Sequence, residues 1–551
     1  MKAVLVFLAI NMTFGCKTLE DSWTTSEEYS DNYQLLNYQK TYSCPPAEVY
    51  SPSSEAEVSI VVKKAIEAGK TVMAGTKGFR SQIDAACTDK DQIQITTENL
   101  KDITIDEASM LATAQAGVTL GELSEALAAK NLSINMISEG VFFTVGGMLG
   151  SGTHGSTLKQ GASLQEYVTA ITIIDGLGEV RKVQDATDLK ALRVNLGVLG
   201  VVVDATFKVE PLTKVRASFV DKKDDQLAAD ILKLAEDNYS ASVAWFPGQS
   251  SYTATLYNKV SIQTEGDAVN AQAHVDEGSL KAFKEIFKIA HSGQTGNMGC
   301  LLAAIRKGLR AKSYFTQDGQ NIADPVGYSH KMQYFTCSKD SPCPWDVLPI
   351  VIGGISIPVD DLGDWVEEVR KIHKSYSNII SPVCFPLNGI YFRFANSSDA
   401  LVASNEGRKT VFIDLEYAVN THNSVQEGEK IVIKSYPQHF QVYQEIMHMS
   451  LNTFKARPHW GKNYADAFFN IGKVQYDKWD SFLEAKQKFD RNGIFTNNWW
   501  NRVISSSTDS SEFKDGCGLS GDCICQEDSH CLEPYKCKQG QGYDKIRVCR
   551  P

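Results

Sequence analysis

Thr144 to Ser156 reads TVGGMLGSGTHGS, and the chain places six glycines between Gly140 and Gly155 around a single histidine, His154. Glycine in such number costs backbone entropy on folding, so it is expected where the chain must take positive φ or let a large flat ligand lie against bare backbone. A loop like this suits a dinucleotide. It carries no GxGxxG fingerprint set between a strand and a helix, and no GxxxxGK[ST], so neither a Rossmann site nor a P-loop is indicated. Taken alone, the run reads as a glycine-rich structural turn.

Upstream, Ser54 to Gly69 has helical periodicity, with acids early and lysines late. Lys70 to Ala74 reads as a short buried strand, and it feeds the loop GTKGFRS, Gly75 to Ser81, whose amides could hold phosphate. Ile93 to Ile105 and Leu111 to Ala116 read as strands, and Thr119 begins a helix with a glutamate three residues on, the pattern of a capping box. Downstream, Val168 to Ile174 is a strand, Gly176 and Gly178 make a hairpin turn, and Glu179 to Val183 returns from it. Asp185 to Asn195 looks helical, Gly197 to Gly200 (GVLG) is a second small-residue turn, and Val201 to Val209 is a long strand closed by Pro211. These elements predict one α+β domain ending near Leu212.

Beyond it the pattern changes. Asp225 to Asn238 and Lys281 to Lys307 read as helices, with strands at Ser242 to Phe246, Tyr252 to Tyr257, Val351 to Pro358, Ile390 to Phe394 and Thr410 to Tyr417. Antiparallel strands packed on helices are expected here. A helix at Pro437 to Leu451 leads to KARPHWGKNY, Lys455 to Tyr464; a further helix stops at DRNGIF, and a serine-rich linker at Ser505 to Ser511 precedes a cysteine-rich tail.

The length of 551 residues predicts two or three domains. A net charge of −11 argues against sequence-independent nucleic-acid binding, which needs a basic footprint. Met1 to Gly15, MKAVLVFLAINMTFG, has one lysine and a short apolar run, too short to span a bilayer and right for a secretory signal cleaved near Gly15 or Cys16. TFGC is a poor lipoprotein box. The mature protein is therefore expected outside the cytosol, with no transmembrane segment.

Six of the thirteen cysteines lie in the tail, at Cys517, Cys523, Cys525, Cys531, Cys537 and Cys549. That density fits a disulfide framework of open connectivity better than a zinc ribbon, since the paired CxxC knuckles are missing; no metal site is expected. Cys44 with Cys87 and Cys337 with Cys343 are candidate pairs, while Cys300 and Cys384 either pair or stay free. Asn131, Asn238 and Asn396 head glycosylation sequons.

In order, GTKGFRS, GGMLGSGTHGS, GVLGVV, RPHWGK and KFDRNGIF resemble the vanillyl-alcohol-oxidase-type (PCMH-type) flavoproteins, and within them the aldonolactone oxidoreductases, which make ascorbate or its analogues from sugar lactones. The tail, DGCGLSGDCICQEDSHC ending in RVCR, is similar to that of the secreted plant-type members. The resemblance runs from about Cys44 to the C-terminus. It implies an α+β fold of two domains: an FAD-binding domain over 40–212, a cap domain with an antiparallel sheet over 213–485, a return segment over 486–505, and a small disulfide-rich tail over 512–551. FAD would lie over Gly75, Thr76, Lys77, Gly78, Phe79, Arg80 and Ser81 and over Gly146, Gly147, Gly150, Ser151, Gly152, His154 and Gly155, with its adenine side near Gly197, Gly200 and Val201.

Oxidising a lactone carbinol moves hydride from C2 to flavin N5 and leaves negative charge near N1 and the C2 carbonyl, where a fixed cation stabilises the transition state. Lys462 is the first candidate for it. His459 either orients the lactone, or acts on the hydroxyl proton, or is a buried hydrogen-bonded histidine. Trp460 is expected to pack. Arg393, in GIYFRF, matches the arginine that the family directs toward lactone and flavin, and could equally form a structural ion pair. His154 is expected to be structural or to face the flavin. Two departures stand out. Many relatives carry a flavin-linking histidine where Arg80 stands, so noncovalent FAD is expected. Some have a glutamate two residues before the arginine, where Tyr391 stands here.

The leading expectation is a secreted FAD-dependent oxidase of a sugar 1,4-lactone (L-gulono-, L-galactono- or D-arabinono-), with molecular oxygen as acceptor. Oxidation of another sugar or alcohol is a second reading, and an extracellular binding protein with a decayed flavin site a third.

Overall fold

The computed structural model describes residues 35–36, 43–44, 48–76, 84–89, 92–134, 138, 140–270, 300–301, 303–304, 307–308, 314–316, 320–333, 350–377, 384, 386, 389–418, 424–427, 430–433, 440–463, 465–468, 471–504, 515–521 and 523–551. Met1 to Gly15, Lys77 to Ser81, most of the helix expected at Lys281 to Lys307, Cys337 and Cys343 lie outside the described residues.

The first elements are β1 (Glu48–Tyr50), α1 (Glu55–Glu67), β2 (Val72–Gly75) and β3 (Ile93–Thr96), and the strands form a parallel sheet in the order β1-β3-β2. Ser54 caps α1 by accepting from the Glu57 amide, and Val58, Val61, Val62 and Ala65 bury the helix against the core. Next come β4 (Ile103–Asp106), β5 (Leu111–Gln115), α2 (Leu120–Ala128), α3 (Val145–Ser151), β6 (Val168–Ile174), β7 (Val180–Val183), α4 (Ala186–Leu192) and β8 (Val201–Lys208). Their strands make an antiparallel sheet, β7-β6-β8-β5-β4. The expected capping box of α2 is present in full, between Thr119 and Glu122.

The glycine run differs from its reading as a loop. Thr144 accepts a hydrogen bond from the Gly147 amide and starts the short helix α3, which Gly152 ends at φ 66°. Val145, Met148 and Leu149 are buried at helical spacing. Gly150, Gly152 and Gly155 do have the GxGxxG spacing, but it falls at the end of a helix, not between a strand and one.

A third sheet has eight strands. In chain order these and their helices are β9 (Lys214–Lys223), α5 (Leu227–Asp237), β10 (Ser240–Phe246), β11 (Ser251–Val260), β12 (Val326–Tyr328), β13 (Ile350–Pro358), α6 (Leu362–Ser375), β14 (Ile390–Ala395), β15 (Thr410–Ala418), α7 (Phe440–Thr453) and β16 (Arg457–Pro458). The sheet order is β12-β9-β11-β10-β14-β15-β13-β16. Strand β9 and helix α6 are additions to the sequence reading. One face buries Trp245, Phe392 and Ile413 under α5 and α6, with Trp365 edge-on to Phe392 at 5.9 Å. The alternation that sends those residues to the helices sends Tyr391, Arg393, Phe412 and Asp414 to the opposite face.

Helices α8 (Trp479–Phe489) and α9 (Asn498–Ile504) follow. Between them the Gly176 amide donates to the Phe489 carbonyl and the Val72 amide to that of Ile494, each at 2.8 Å. In the tail, Cys517 bonds Cys523, Cys525 bonds Cys537 and Cys531 bonds Cys549, so these thiols are spent in disulfides and the zinc-ribbon alternative falls away. Cys300 and Cys384 are also paired, and Cys87 is disulfide-bonded. The tail is docked firmly: the carboxylate of Glu445, buried on α7, accepts from the amides of Gln541, Gly542 and Tyr543. Among the described residues no helix is long and apolar enough to cross a membrane.

Candidate active site

Three adjacent strands set the centre of the site. On β15, Asp414 lies directly opposite Tyr391 of β14 and Gly354 of β13, while Phe412 lies opposite Arg393. Arg393 therefore reaches Asp414 diagonally, its Nη1 donating to Oδ2 at 2.9 Å. Lys462 Nζ donates to both carboxylate oxygens at 2.8 Å. Lys462 and Arg393, candidates far apart in the chain, thus meet on one carboxylate that the sequence reading did not single out.

Lys462 arrives on a turn built for it. Strand β16 pairs with β13, and Arg457 is buried there with its guanidinium held by the carbonyls of Gln475 and Glu406. The His459 amide then donates to Gly354 O at 2.8 Å. Trp460 is buried, its indole donating to Val402 O at 2.7 Å and its ring stacked on Tyr476, which is the packing role expected of it. Asn463 closes the turn at φ 75°, its Oδ1 accepting from the Gly354 amide and its Nδ2 donating to the carbonyls of Gly354 and His459. Gly354 leaves room for Lys462, since a Cβ there would sit 2.7 Å from Lys462 Cδ and the lysine side chain would have to shift.

The glycine segment forms the facing wall. After Gly152 the chain runs extended, and Thr157 N–H donates to Phe394 O at 2.7 Å while Phe394 N–H donates to Ser156 Oγ at 3.0 Å. This stitches the segment to β14, one residue from Arg393. His154 stacks on Phe412 with ring centroids 3.5 Å apart and lies 5.3 Å from the His459 ring. A Cβ on Gly461 would lie 3.2 Å from Ser151 Cβ, so the turn that carries Lys462 rests against the end of α3.

Burial, then the charges of Lys462 and Arg393, hold His154 far below its ordinary value, at about 3. Burial and Lys462 likewise push His459 well down. Both imidazoles are therefore neutral. Nδ1 of His459 accepts from the Gly461 amide at 3.0 Å, which leaves Nε2 as an N–H donor. This favours orienting a ligand oxygen over taking up a proton. Nδ1 of His154 faces Gly155 O at 3.0 Å and donates to it, so its Nε2 is unprotonated. Although the buried Asp414 carboxyl is opposed by desolvation, Lys462 and Arg393 hold it well below the usual carboxylate range.

The glycines named for the flavin divide in two. A Cβ on Gly150 meets nothing within 4 Å, so one side of α3 offers bare backbone beside Ser151, and at Gly147 only Thr144 Oγ1 lies near, at 3.2 Å. The others serve the fold: Gly146 lies against Ala116, a Cβ on Gly200 would meet Ile174 O at 2.7 Å, Gly197 sits at φ 73°, and Val201 is buried at the start of β8. Gly75 ends β2 and Thr76 follows it, half-buried. Lys77, Gly78, Phe79, Arg80 and Ser81 lie outside the described residues. The side chain of Ser163, paired through its backbone to His154, is fully buried with its hydroxyl unpartnered. An open strip of helix backbone beside two cations and an unpaired buried hydroxyl fits a flat, anionic cofactor such as FAD.

The chain itself carries the same assignment. Residues 46–184 match the FAD binding domain family, 350–503 the D-arabinono-1,4-lactone oxidase family, and 514–551 the L-gulonolactone oxidase 2-like C-terminal domain. The chain carries the matched domains of an FAD-dependent aldonolactone oxidoreductase. This flavoprotein is 28% identical to the probable L-gulonolactone oxidase 1 of Arabidopsis thaliana, over 98% of this chain and 94% of that one. To the L-gulono-1,4-lactone dehydrogenase of Mycobacterium tuberculosis (strain ATCC 25618 / H37Rv) it is 22% identical, over 85% and 98%. The fold matches that of cholesterol oxidase from B. sterolicum with a TM-score of 0.66 at 16% identity, over 88% of this chain and 99% of that one.

Asp414, Asn463, Phe412 and Gly354 escaped the sequence reading. Their signals were slight: one acid within the apolar alternation TVFIDLEYA, an asparagine directly after HWGK, and a glycine pair inside a strand.

Proposed function

We propose that this flavoprotein oxidises a sugar 1,4-lactone (L-gulono-, L-galactono- or D-arabinono-) at C2, yielding ascorbate or an analogue, with molecular oxygen as acceptor and peroxide as its product. The observation that carries the reading is the cluster of Lys462 and Arg393 on Asp414, walled by His154 and His459, in a chain matching lactone oxidases over the same strands. FAD, when bound, supplies the two-electron acceptor for the C2 hydride. Lys462 and Arg393 provide fixed positive charge where negative charge develops on reduction, an effect worth about two to three orders of magnitude in rate per donor in comparable sites. His459, as an Nε2–H donor, holds a lactone oxygen. Burial and the neighbouring cations lower the basicity of both histidines, which disfavours either of them as the base for the C2 hydroxyl proton.

Noncovalent FAD remains the reading, on the ground that Arg80 cannot form the histidyl bond. Secretion is supported by the signal-like Met1 to Gly15 and by the disulfides of the tail, which persist in oxidising compartments. The test is to supply the three lactones to purified protein and record peroxide in air and dye reduction without it. Turnover with peroxide is expected. Dye reduction alone would assign a dehydrogenase, the activity named for the mycobacterial relative, and turnover of none would refute the lactone reading. Acid precipitation separates the attachment modes: yellow supernatant is expected, and a yellow pellet would mean covalent flavin.

A further inference from the structure

We propose that Asp414 is a positioning and charge-balancing residue of the flavin site: its carboxylate aligns Lys462 with Arg393 and offsets one of their two charges, setting how strongly the site favours a negatively charged flavin. The inference rests on the reading that FAD lies against this cluster.

Asp414 is 4% exposed, and both its oxygens are taken by the two cations. A buried carboxylate so placed has no solvent to screen it, so its charge acts on everything near it. The three groups sum to one positive charge, two cations less one anion, and the neighbouring imidazoles, held neutral, add none. Geometry makes the arrangement rigid. Asp414 is fixed by ladder bonds to β14 on one side and β13 on the other, and Lys462 passes Gly354, the residue opposite Asp414, where a Cβ would lie 2.7 Å from Lys462 Cδ and displace it. Asp414 is also the direct cross-strand neighbour of Tyr391, so it stands on the sheet face that carries Arg393.

Sulfite provides a readout that needs no lactone, because it adds to flavin N5 and leaves an anionic adduct that nearby positive charge stabilises. We would titrate the FAD-loaded wild type, Asp414→Asn, Lys462→Met and the double variant with sulfite, following the bleaching of the visible flavin band. Net site charges of +1, +2, 0 and +1 follow from the substitutions. Asp414→Asn is expected to bind sulfite about tenfold more tightly and Lys462→Met about tenfold more weakly, the order for a unit charge within a nanometre at an effective dielectric near 20. The double variant is expected near wild type. A purely structural role predicts instead that both single variants weaken sulfite binding; that result, or an unchanged Kd in Asp414→Asn, overturns the proposal. Should Asp414→Asn not retain flavin, the double variant decides: near-wild-type affinity supports charge balance, and affinity as weak as Lys462→Met overturns it. Lactone turnover enters none of these measurements, so an inactive wild type refutes the lactone reading while leaving the order of sulfite affinities to stand or fall alone. A chain that takes up no FAD overturns both.

Discussion

At the scale of single residues, Asn463 bears most on the geometry of the turn that carries Lys462. Its left-handed φ and its hydrogen bonds to Gly354 and His459 fix where Lys462 begins. Asn463→Ala places an unfavourable conformation on alanine and removes a hydrogen bond from each of three buried backbone groups, so a loss of about 2 to 3 kcal/mol is expected in thermal melts, with a fall in kcat as Lys462 loosens. Asn463→Gly keeps the conformation and loses only the bonds, and should fall between alanine and wild type. His154 gives the protein a pH dependence of definite sign. Unfolded, its imidazole takes a proton below about 6.5; folded, not until about 3. The unfolded state therefore binds more protons across that window, and stability falls as pH drops through it. From pH 7 to 5 the loss attributable to His154 is about 2 kcal/mol, and His154→Gln should lose that much less over the same interval in paired melts. Asp414, whose folded carboxyl is depressed, contributes stability above its unfolded value near 3.9 and begins to lose it only below that, so it does not blur the histidine window. Motifs picked out Lys462, His459 and Arg393 as chemistry-bearing residues, and the structure brings the three together. Asp414 was not picked out, because a lone acid in an alternating strand looks solvent-facing until the register shows a strand on either side of it.

Among the elements, α3 separates glycines that serve the fold from those that leave space. Gly152→Val would be a poor probe of flavin binding, since φ 66° strains valine and Val194 lies close by. Gly150 is cleaner. Its backbone is helical and a Cβ there meets nothing within 4 Å, so Gly150→Ala should raise the melting temperature of flavin-free protein slightly, by the equivalent of about 0.5 to 1 kcal/mol. The same methyl would stand on the open strip beside Ser151 and is expected to lower FAD occupancy, read as the ratio of visible to ultraviolet absorbance. Stability gained with flavin retained would move the cofactor off this face of α3. The helix itself was within reach of the sequence: Val145, Met148 and Leu149 have helical spacing and Thr144 is a good cap. The glycine count hid it, because glycine lowers helix propensity without forbidding a helix whose buried face packs well. Strands β10, β11, β13, β14 and β15 were legible to within a few residues from alternation. Their order in the sheet was not, since nothing local says that β14 lies between β10 and β15.

Over the whole molecule, the chain closes on itself. Phe489, Phe495, Trp499 and Trp500 share one core with Val58, Ile93 and Ile174, and Asn497 donates to Cys87 O at 2.8 Å. Gly176 marks the seam. In the sequence it is half of a hairpin turn, and a turn glycine without positive φ tolerates alanine. The structure gives it another reason to be bare: a Cβ there would lie 2.3 Å from Asp490 Oδ1. Asp490 cannot yield, because it is buried with its carboxylate accepting from the amides of Ile494 and Phe495 and pairing with Lys486. Gly176→Ala must therefore push the return segment off the β6–β7 hairpin or break that carboxylate's bonds, and a loss of about 2 to 4 kcal/mol is expected, against under about 0.5 for a simple turn position. Gly178, at φ 74°, is a turn glycine in the ordinary sense and sets the scale for alanine strain in the same hairpin. Calorimetry should show Gly176→Ala melting lower than wild type by more than Gly178→Ala does. A Gly176→Ala protein that melts with the wild type would mean that the contact between residues 489–495 and the β6–β7 hairpin contributes little to stability.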